Sequence, residues 1–272
     1  MDRPPHNFML ARERERNQST RGGFDAYAAH RAEQMATLDG LRGQRLAVLG
    51  AGNGNDLELS ELASAFDELH LFDIDADALE RALAGQSRAV QLKSKTHVHD
   101  LTGVAALLED WRASPPEPLA AQVSAWTKLC ELLTDVGQFD AVVSTCLLSQ
   151  VAINLRDFFG LTPALNSALF AAIAGHVMLA TSLTRPGGTL VVISDCITDQ
   201  YPIHDEARAR GALPAIFHLA AQGAAFPGTD PELIESLVKS PEFPRPELVR
   251  GWIWDLSPQS YLVYALRAER RP

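Results

Sequence analysis

Three points along the 272-residue chain carry residue types suited to gripping one ligand. The first is VLGAGNGND at 48–56, where Gly50, Gly52 and Gly54 alternate. Glycine admits a sharp turn and lets backbone N–H groups come close to a ligand. A helix starting just beyond would aim its N-terminus at the same place. The second is LFDID at 71–75, in which Asp73 closes a short apolar run. From there a carboxylate can accept both hydroxyls of a ribose lying over the glycine loop. The third is HDLTG at 99–103, where Asp100 is placed to meet the exocyclic amine of an adenine and Leu101 its ring. Each point also has a plainer reading. The glycines can simply make a turn, Asp73 or Asp75 can cap the next helix, and Asp100 can cap the segment after Thr102.

The elements that would position these residues are legible as alternating patterns. Apolar runs at 45–49, 69–72, 96–99, 139–145 and 189–194 read as buried strands. Segments 56–66, 76–84, 104–111, 119–136 and 163–184 read as helices between them, with SPPEP at 114–118 as a loop. Strands 252–255 and 261–266, joined through SPQS, read as a closing antiparallel hairpin. Strict strand–helix alternation predicts an α/β fold: a doubly wound, mostly parallel sheet with helices on both faces. Ligands of such sheets sit outside the carboxyl ends of the strands, where Gly52, Asp73 and Asp100 would converge.

Residues 45–195 resemble the cofactor half of the class I S-adenosylmethionine-dependent methyltransferases. The likeness rests on the G-x-G-x-G loop, the acids after strands two and three, FDAVVS as strand four and RPGGTLVVISD as strand five. The tail at 251–267 resembles that family's final hairpin. The resemblance implies a Rossmann-like, seven-stranded sheet of order 3-2-1-4-5-7-6 with strand 7 antiparallel. It implies S-adenosyl-L-methionine as cofactor and a transferase activity. Gly50, Ala51, Gly52 and Asn53 would then lie along the methionine portion, Asp73 would hold the ribose with Ile74 against the adenine, and Asp100 and Leu101 would flank the base. Ser144 and Cys146 would line the methionine side. The chain departs from the family at Val48, where an Asp or Glu is common, and Asp56 is the substitute for that carboxylate. The domains implied are an N-terminal helical extension or lid at 1–43 and a methyltransferase domain at 44–272, with an insertion at 196–250 as acceptor-site lid.

The remaining residues bound the chemistry. A dinucleotide fingerprint fails, because the last position of G-x-G-x-x-G is Asn55 or Leu57. A NAD(P)-dependent oxidoreductase is therefore a weaker alternative, as is a noncatalytic binding module that kept the cofactor fold. Gln150, His176 and Asp195 are the candidates for catalytic groups, and Tyr27, Gln150, Asp195 and Tyr201 for contacts to the acceptor. His97 and His99 lack a third ligand with convincing spacing, so no metal site is expected. Cys130, Cys146 and Cys196 form no C-x-x-C pair and read as reduced, mostly buried thiols of a cytoplasmic protein. A formal net charge of -10 argues against broad nucleic-acid binding. ARERER at 11–16 reads as a solvated, salt-bridged face. The apolar stretch 164–183 is interrupted by Asn166 and His176 and reads as a core helix, not a membrane span. The expected partner is a small-molecule or peptide-like methyl acceptor, and a homo-oligomer is compatible with the sequence.

Overall fold

The computed structural model describes residues 8–272, so the part of the extension at 1–7 lies outside the described residues. In chain order the first half comprises α1 (Phe8–Ser19), a 3-10 turn (Phe24–Tyr27), α2 (Ala28–Leu38), β1 (Gly43–Leu49), α3 (Leu59–Ala65), β2 (Phe66–Asp73), α4 (Ala76–Ala84), α5 (Arg88–Lys93), β3 (Ser94–Val98), α6 (Leu108–Ala113) and α7 (Pro118–Val136). The second half comprises β4 (Phe139–Thr145), α8 (Leu147–Phe159), α9 (Pro163–Leu183), β5 (Thr184–Thr198), α10 (Ile203–Arg210), α11 (Ala212–Ala220), α12 (Pro231–Val238), β6 (Glu247–Leu256) and β7 (Gln259–Glu269). All seven strands form one sheet of order β3-β2-β1-β4-β5-β7-β6. The strands from β3 to β5 pair in parallel, and β7 runs antiparallel to both β5 and β6. This is the implied topology.

The strands are apolar on both faces because helices cover both. Ala47, Leu49, Val142, Leu190, Val192 and Tyr264 join one core with α7, α8 and α9, whereas Leu46, Val48, Val143, Val191, Ile193 and Val263 join a second core with α2, α3 and α4. Burying side chains on both faces is what turns a strand into a continuous apolar run instead of an alternating one. The long helix α9 has the length and apolarity of a bilayer-crossing segment, yet 72% of its apolar window is buried inside the protein. It packs on α7, α8, β4 and β5, so its apolarity is that of a core helix.

Three sequence readings change. The fifth strand begins before the apolar run at 189–194: Thr184 already pairs with Phe139, the register shifts, and pairing resumes at Ala141–Thr189. Helices α5 and α8 were not predicted. The charged block at 11–16 is not simply solvated, because it lies in α1, whose Met9, Glu13 and Asn17 are buried. Between β5 and β6, Ile203, Ile216, Leu219, Ile234, Val238 and Phe243 join the first core, so much of that segment is built into the wall covering the sheet's outer strands.

The loop after β3 is pinned by contact with α7. A Cβ added at Gly103, whose φ is +73°, would lie 2.2 Å from the backbone oxygen of Ala125. Gly22 has the same φ of +73° with nothing within 4 Å. Gly22→Ala therefore carries only the left-handed backbone cost, about 1 kcal/mol, while Gly103→Ala is expected to lose at least about 3 kcal/mol by adding backbone overlap. Denaturant unfolding of the two variants checks this; equal losses would mean that α7 does not approach the loop.

Candidate functional site

The glycine loop leaves β1 bonded to the end of its neighbour β2. The N–H groups of Gly50 and Ala51 both donate to the carbonyl of Phe72, at 2.9 and 3.0 Å. Gly50, Gly52 and Gly54 all have positive φ, but they serve different ends. A Cβ on Gly50 would press on the backbone oxygen of Thr145 at 3.2 Å, and one on Gly54 would press on Ala82 of α4 at 3.1 Å. Those two glycines let strands and helices come close. At Gly52 a Cβ would meet only the Asn17 side-chain oxygen, at 3.2 Å. Gly52 is thus the glycine that faces the crevice above the sheet.

Asp73 fastens this loop to the end of β2. Its Oδ2 accepts the Gly52 N–H at 2.8 Å and its Oδ1 accepts the Asp75 N–H at 2.9 Å. A carboxylate oxygen offers two acceptor sites, so each oxygen keeps one for a further donor. Burial pushes the Asp73 carboxyl up to about 6, against the pull of these two backbone donors. Asp75, not Asp73, caps α4, accepting the Asp77 N–H at 3.2 Å. Asp100 does serve as a cap. Its Oδ1 accepts from the backbone and hydroxyl of Thr102, at 2.9 and 2.6 Å, and its Oδ2 from the Ala105 N–H at 2.8 Å. One acceptor site on Oδ2 remains. Asp73, Ile74, Asp100 and Leu101 line a single pocket together with Met9, Glu13 and Leu147. The crevice has therefore gathered the ends of β2 and β3, and the Gly52 N–H–Asp73 bond joins them to β1.

Helix α1 lies in this crevice. Asn17 donates to Asp75 at 3.1 Å, and Asn53 and Asn55 of the glycine loop hold the end of α1 through the carbonyls of Asn17 and Thr20, at 2.7 and 3.0 Å. Glu13, 6% exposed, accepts from Asn154 and from Arg16, both at 2.6 Å. Arg16 also reaches Gln150 and Asn154, each at 3.3 Å. What remains open between Met9, Glu13 and the strand ends is ≈ 30 Å³, far below the roughly 300 Å³ of a small-molecule site.

Beyond β4 the chain takes a strained elbow. Cys146 caps α8 with φ +47°, a conformation that non-glycine residues rarely adopt. Its thiol is buried and held well above its ordinary range by that burial, which makes it an unreactive thiol and not a nucleophile. Around it runs a chain of polar groups. Trp252 Nε1 donates to His30 Nδ1 at 3.0 Å, so the ring proton sits on Nε2. The Gln34 amide contacts His30 Nε2 at 2.5 Å and the Thr145 hydroxyl at 3.0 Å. Chemical consistency requires its oxygen to accept from His30 and its nitrogen to donate to Thr145. The Thr145 hydroxyl is then free to donate to Asp56 Oδ2, 3.4 Å away. Asp56 Oδ1 is buried with no partner among the described residues. Burial and the nearby Asp195 push the Asp56 carboxyl up to about 7.

The other predicted residues separate into two groups. Asp195, 6% exposed, accepts from Ser149 at 2.6 Å, and the Tyr27 hydroxyl lies within the field of both Asp56 and Asp195. Gln150 faces Arg16. By contrast, Ser144 and His176 satisfy each other inside the core, at 2.8 Å, with His176 Nδ1 on the Leu101 carbonyl at 3.1 Å. Neither presents a free polar group to the crevice, so His176 is a structural tie and not a base for an acceptor. Tyr201 is 39% exposed on the turn after β5 and makes no ring contact among the described residues. Sequence reasoning missed Gln34, Thr145, Trp252 and Trp254, which share no motif and meet only through the fold.

No protein-family model matches the chain, and no curated protein matches it in sequence. Solved structures do. Human N-acetylserotonin methyltransferase in complex with SAM is 13% identical, with a TM-score of 0.52 over 99% of this chain and 61% of that one. The YcgJ protein from Bacillus subtilis is 10% identical, with a TM-score of 0.49 over 90% and 99% of the two chains. An O-methyltransferase family protein from Burkholderia thailandensis is 14% identical, with a TM-score of 0.46 over 91% and 58%. The likeness to the human enzyme and the strand order establish that this chain has the Rossmann-like fold of the class I S-adenosylmethionine-dependent methyltransferases.

The Ser144–His176–Leu101 tie gives a pH-dependent prediction. Burial lowers the His176 pKa from an ordinary 6.5 to about 4. Between those values the unfolded chain takes up a proton that the folded chain refuses. The contribution of this residue to stability is thus complete above about pH 6.5 and declines as pH falls toward about 4. His176→Gln removes that titration. Its stability deficit against the wild type is expected to be largest at neutral pH and to narrow by pH 5 in denaturant unfolding; a constant deficit would show that the ring is not held neutral.

Proposed function

We propose that this protein binds S-adenosyl-L-methionine in the crevice formed by Gly52, Asp73 and the Asp100–Leu101 loop, and transfers its methyl group to a small-molecule or peptide-like acceptor. The observation that carries the reading is the bond from the Gly52 N–H to Asp73. It sets an open-faced glycine beside a carboxylate with unused acceptor sites, over a pocket floored by Ile74 and Leu101. The residues fit the cofactor. Asp73 has room for two ribose hydroxyls and Asp100 for one amine. The fold is shared with the human methyltransferase whose structure contains SAM, which supports the same cofactor here.

The bound sulfonium would supply the chemical activation, since its methyl group is already poised to leave. The work left to the chain is to bind, align and exclude water. Asp73 and the glycine loop fix the nucleoside, while the β4 elbow and Asp195 bound the space in front of it. A base is required only if the acceptor must lose a proton. The buried carboxylates of Asp56 and Asp195 are the groups placed to take one.

Cofactor entry requires α1 to withdraw, because Asn17 stands over Gly52 and Glu13 over the pocket. A ligand that binds only the withdrawn state is penalised by the fraction of molecules in it. Calorimetry with S-adenosylhomocysteine, the demethylated product, is expected to show micromolar binding, with none for NADH. Asp73→Ala is expected to weaken that binding by about 1–3 kcal/mol, the scale for charged hydrogen bonds left unmade. The double variant Glu13→Ala/Asn17→Ala is expected to tighten it several-fold by freeing α1. No binding by the wild type or the α1 variant would overturn the proposal. Weaker binding by the α1 variant would mean that α1 closes over the cofactor instead of excluding it.

A further inference from the structure

An aromatic and acidic cluster lies where β5 and β6 end and β7 begins. Trp254 pairs with Tyr261 across β6 and β7, and Tyr261 pairs with Thr198 of β5, so the three residues lie side by side along the sheet's edge. Tyr27 meets the Trp254 ring edge-on at 5.1 Å, Tyr261 lies tilted against it at 5.5 Å, and His30 stacks on it at 4.0 Å. Asp56 and Asp195 act on the Tyr27 hydroxyl, which donates to no group among the described residues. Two atoms of the cluster are buried and unpartnered: the Asp56 Oδ1 acceptor and the Nε1 donor of Trp254, a residue 8% exposed.

Such an arrangement is costly as it stands. A buried polar atom without a partner loses the full free energy of its hydration. Two carboxylates within one another's field, walled by aromatic rings, attract a cation both by charge and through the ring faces. His30 cannot be that cation, because burial lowers its pKa to about 3. Arg31 acts on Asp56 but is committed elsewhere, to Glu58 and to the carbonyls of Phe24 and Asn55 at 2.6, 2.7 and 2.9 Å. The remaining cation acting on the cluster is Arg16, whose charge reaches Asp195 and Tyr261. Arg16 is carried by α1. When α1 withdraws, Asp195 loses it.

We infer that this cluster recognises the methyl acceptor through an organic ammonium group, which binds between Asp56, Asp195 and the Tyr27–Trp254–Tyr261 wall once α1 has carried Arg16 away. The same ligand meets the Trp254 Nε1–H with an oxygen or neutral nitrogen. The ammonium is the handle for recognition, whichever atom is methylated. This rests on the cofactor reading above, because the acceptor enters beside a bound cofactor.

The test uses the full chain saturated with S-adenosylhomocysteine and two probes of one shape, benzylamine, which is cationic at neutral pH, and benzyl alcohol, which is not. Calorimetry is expected to show benzylamine binding at least ten-fold more tightly, and Asp195→Asn is expected to erase most of that preference. Equal binding of the two probes, or no benzylamine binding to a protein that does hold S-adenosylhomocysteine, overturns the inference and leaves the cofactor reading intact. Failure to hold S-adenosylhomocysteine overturns both. A third arm separates the two sources of an ammonium. If Asp56→Asn and Asp195→Asn both weaken S-adenosylhomocysteine ten-fold but leave methylthioadenosine, which lacks the amino-acid end, unchanged, the carboxylates serve the cofactor itself and the acceptor inference falls. Should Asp195→Asn fail to fold, Asp56→Asn decides the probe preference.

Discussion

The carboxylate of Asp73 accepts one backbone N–H from the glycine loop and one from the turn into α4, at 2.8 and 2.9 Å. With that, the ends of β1 and β2 become a single rigid lip. Parallel strands bring their carboxyl ends to one edge, but they do not fix how the loops beyond them sit. Here a buried charge does so, at the cost of a carboxyl pushed up to about 6. The Gly50 and Ala51 bonds to the Phe72 carbonyl reinforce the same junction from below. The third segment joins through a different device: His176, from α9, holds the Leu101 carbonyl while accepting from Ser144 on β4. The floor of the pocket is thereby tied to the centre of the sheet.

Over this rigid base lies a helix whose attachments are polar. Helix α1 is fastened through Asn17, Asn53, Asn55, Glu13 and Arg16 more than through apolar packing, with Met9 as its buried apolar anchor. Polar contacts exchange readily for contacts with water or a ligand, each changing stability by only about 1 kcal/mol. An element held in this way can leave as a unit, and the groups it leaves behind on the crevice wall are the ones a ligand would use. Asp75 and Asn154 lose donors and acceptors, and Asp195 loses the field of Arg16. The closed state described here thus shows the chemistry expected of the ligand-bound one.

Much of the fold was legible because glycine and aspartate punctuate each strand end. Residues 139–145 and 76–84 read correctly from β-branched runs and from amphipathic spacing, and these match β4 and α4. Helix α8 was missed although its buried Leu148, Val151, Ala152, Leu155 and Phe159 keep helical spacing, because it follows its strand with no capping side chain to announce it. Helix α1 was read as solvated because its buried face, Met9, Glu13 and Asn17, steps by four residues but is two-thirds polar. Burial of a carboxylate is not visible in a sequence when its partners, Arg16 and Asn154, are brought to it by tertiary structure. Asp73, Asp100 and Asp56, by contrast, were recognisable as candidates from their positions after the strands and the glycine loop. The relay from Trp252 through His30, Gln34 and Thr145 joins residues up to 222 positions apart and had no local signal. His176 was weighed as a base because histidine often is one; its burial among apolar helices made it a strut instead.

The proposed cofactor binding requires three chain segments to form one nucleoside grip from which α1 departs. Hydrogen exchange of the backbone amides, followed by mass spectrometry with and without S-adenosylhomocysteine, reads all four segments at once. Slower exchange is expected in residues 50–56, 73–77 and 100–105 together with faster exchange across Phe8–Ser19. Unchanged exchange in the three loops, or protection confined to one of them, would contradict the proposed binding.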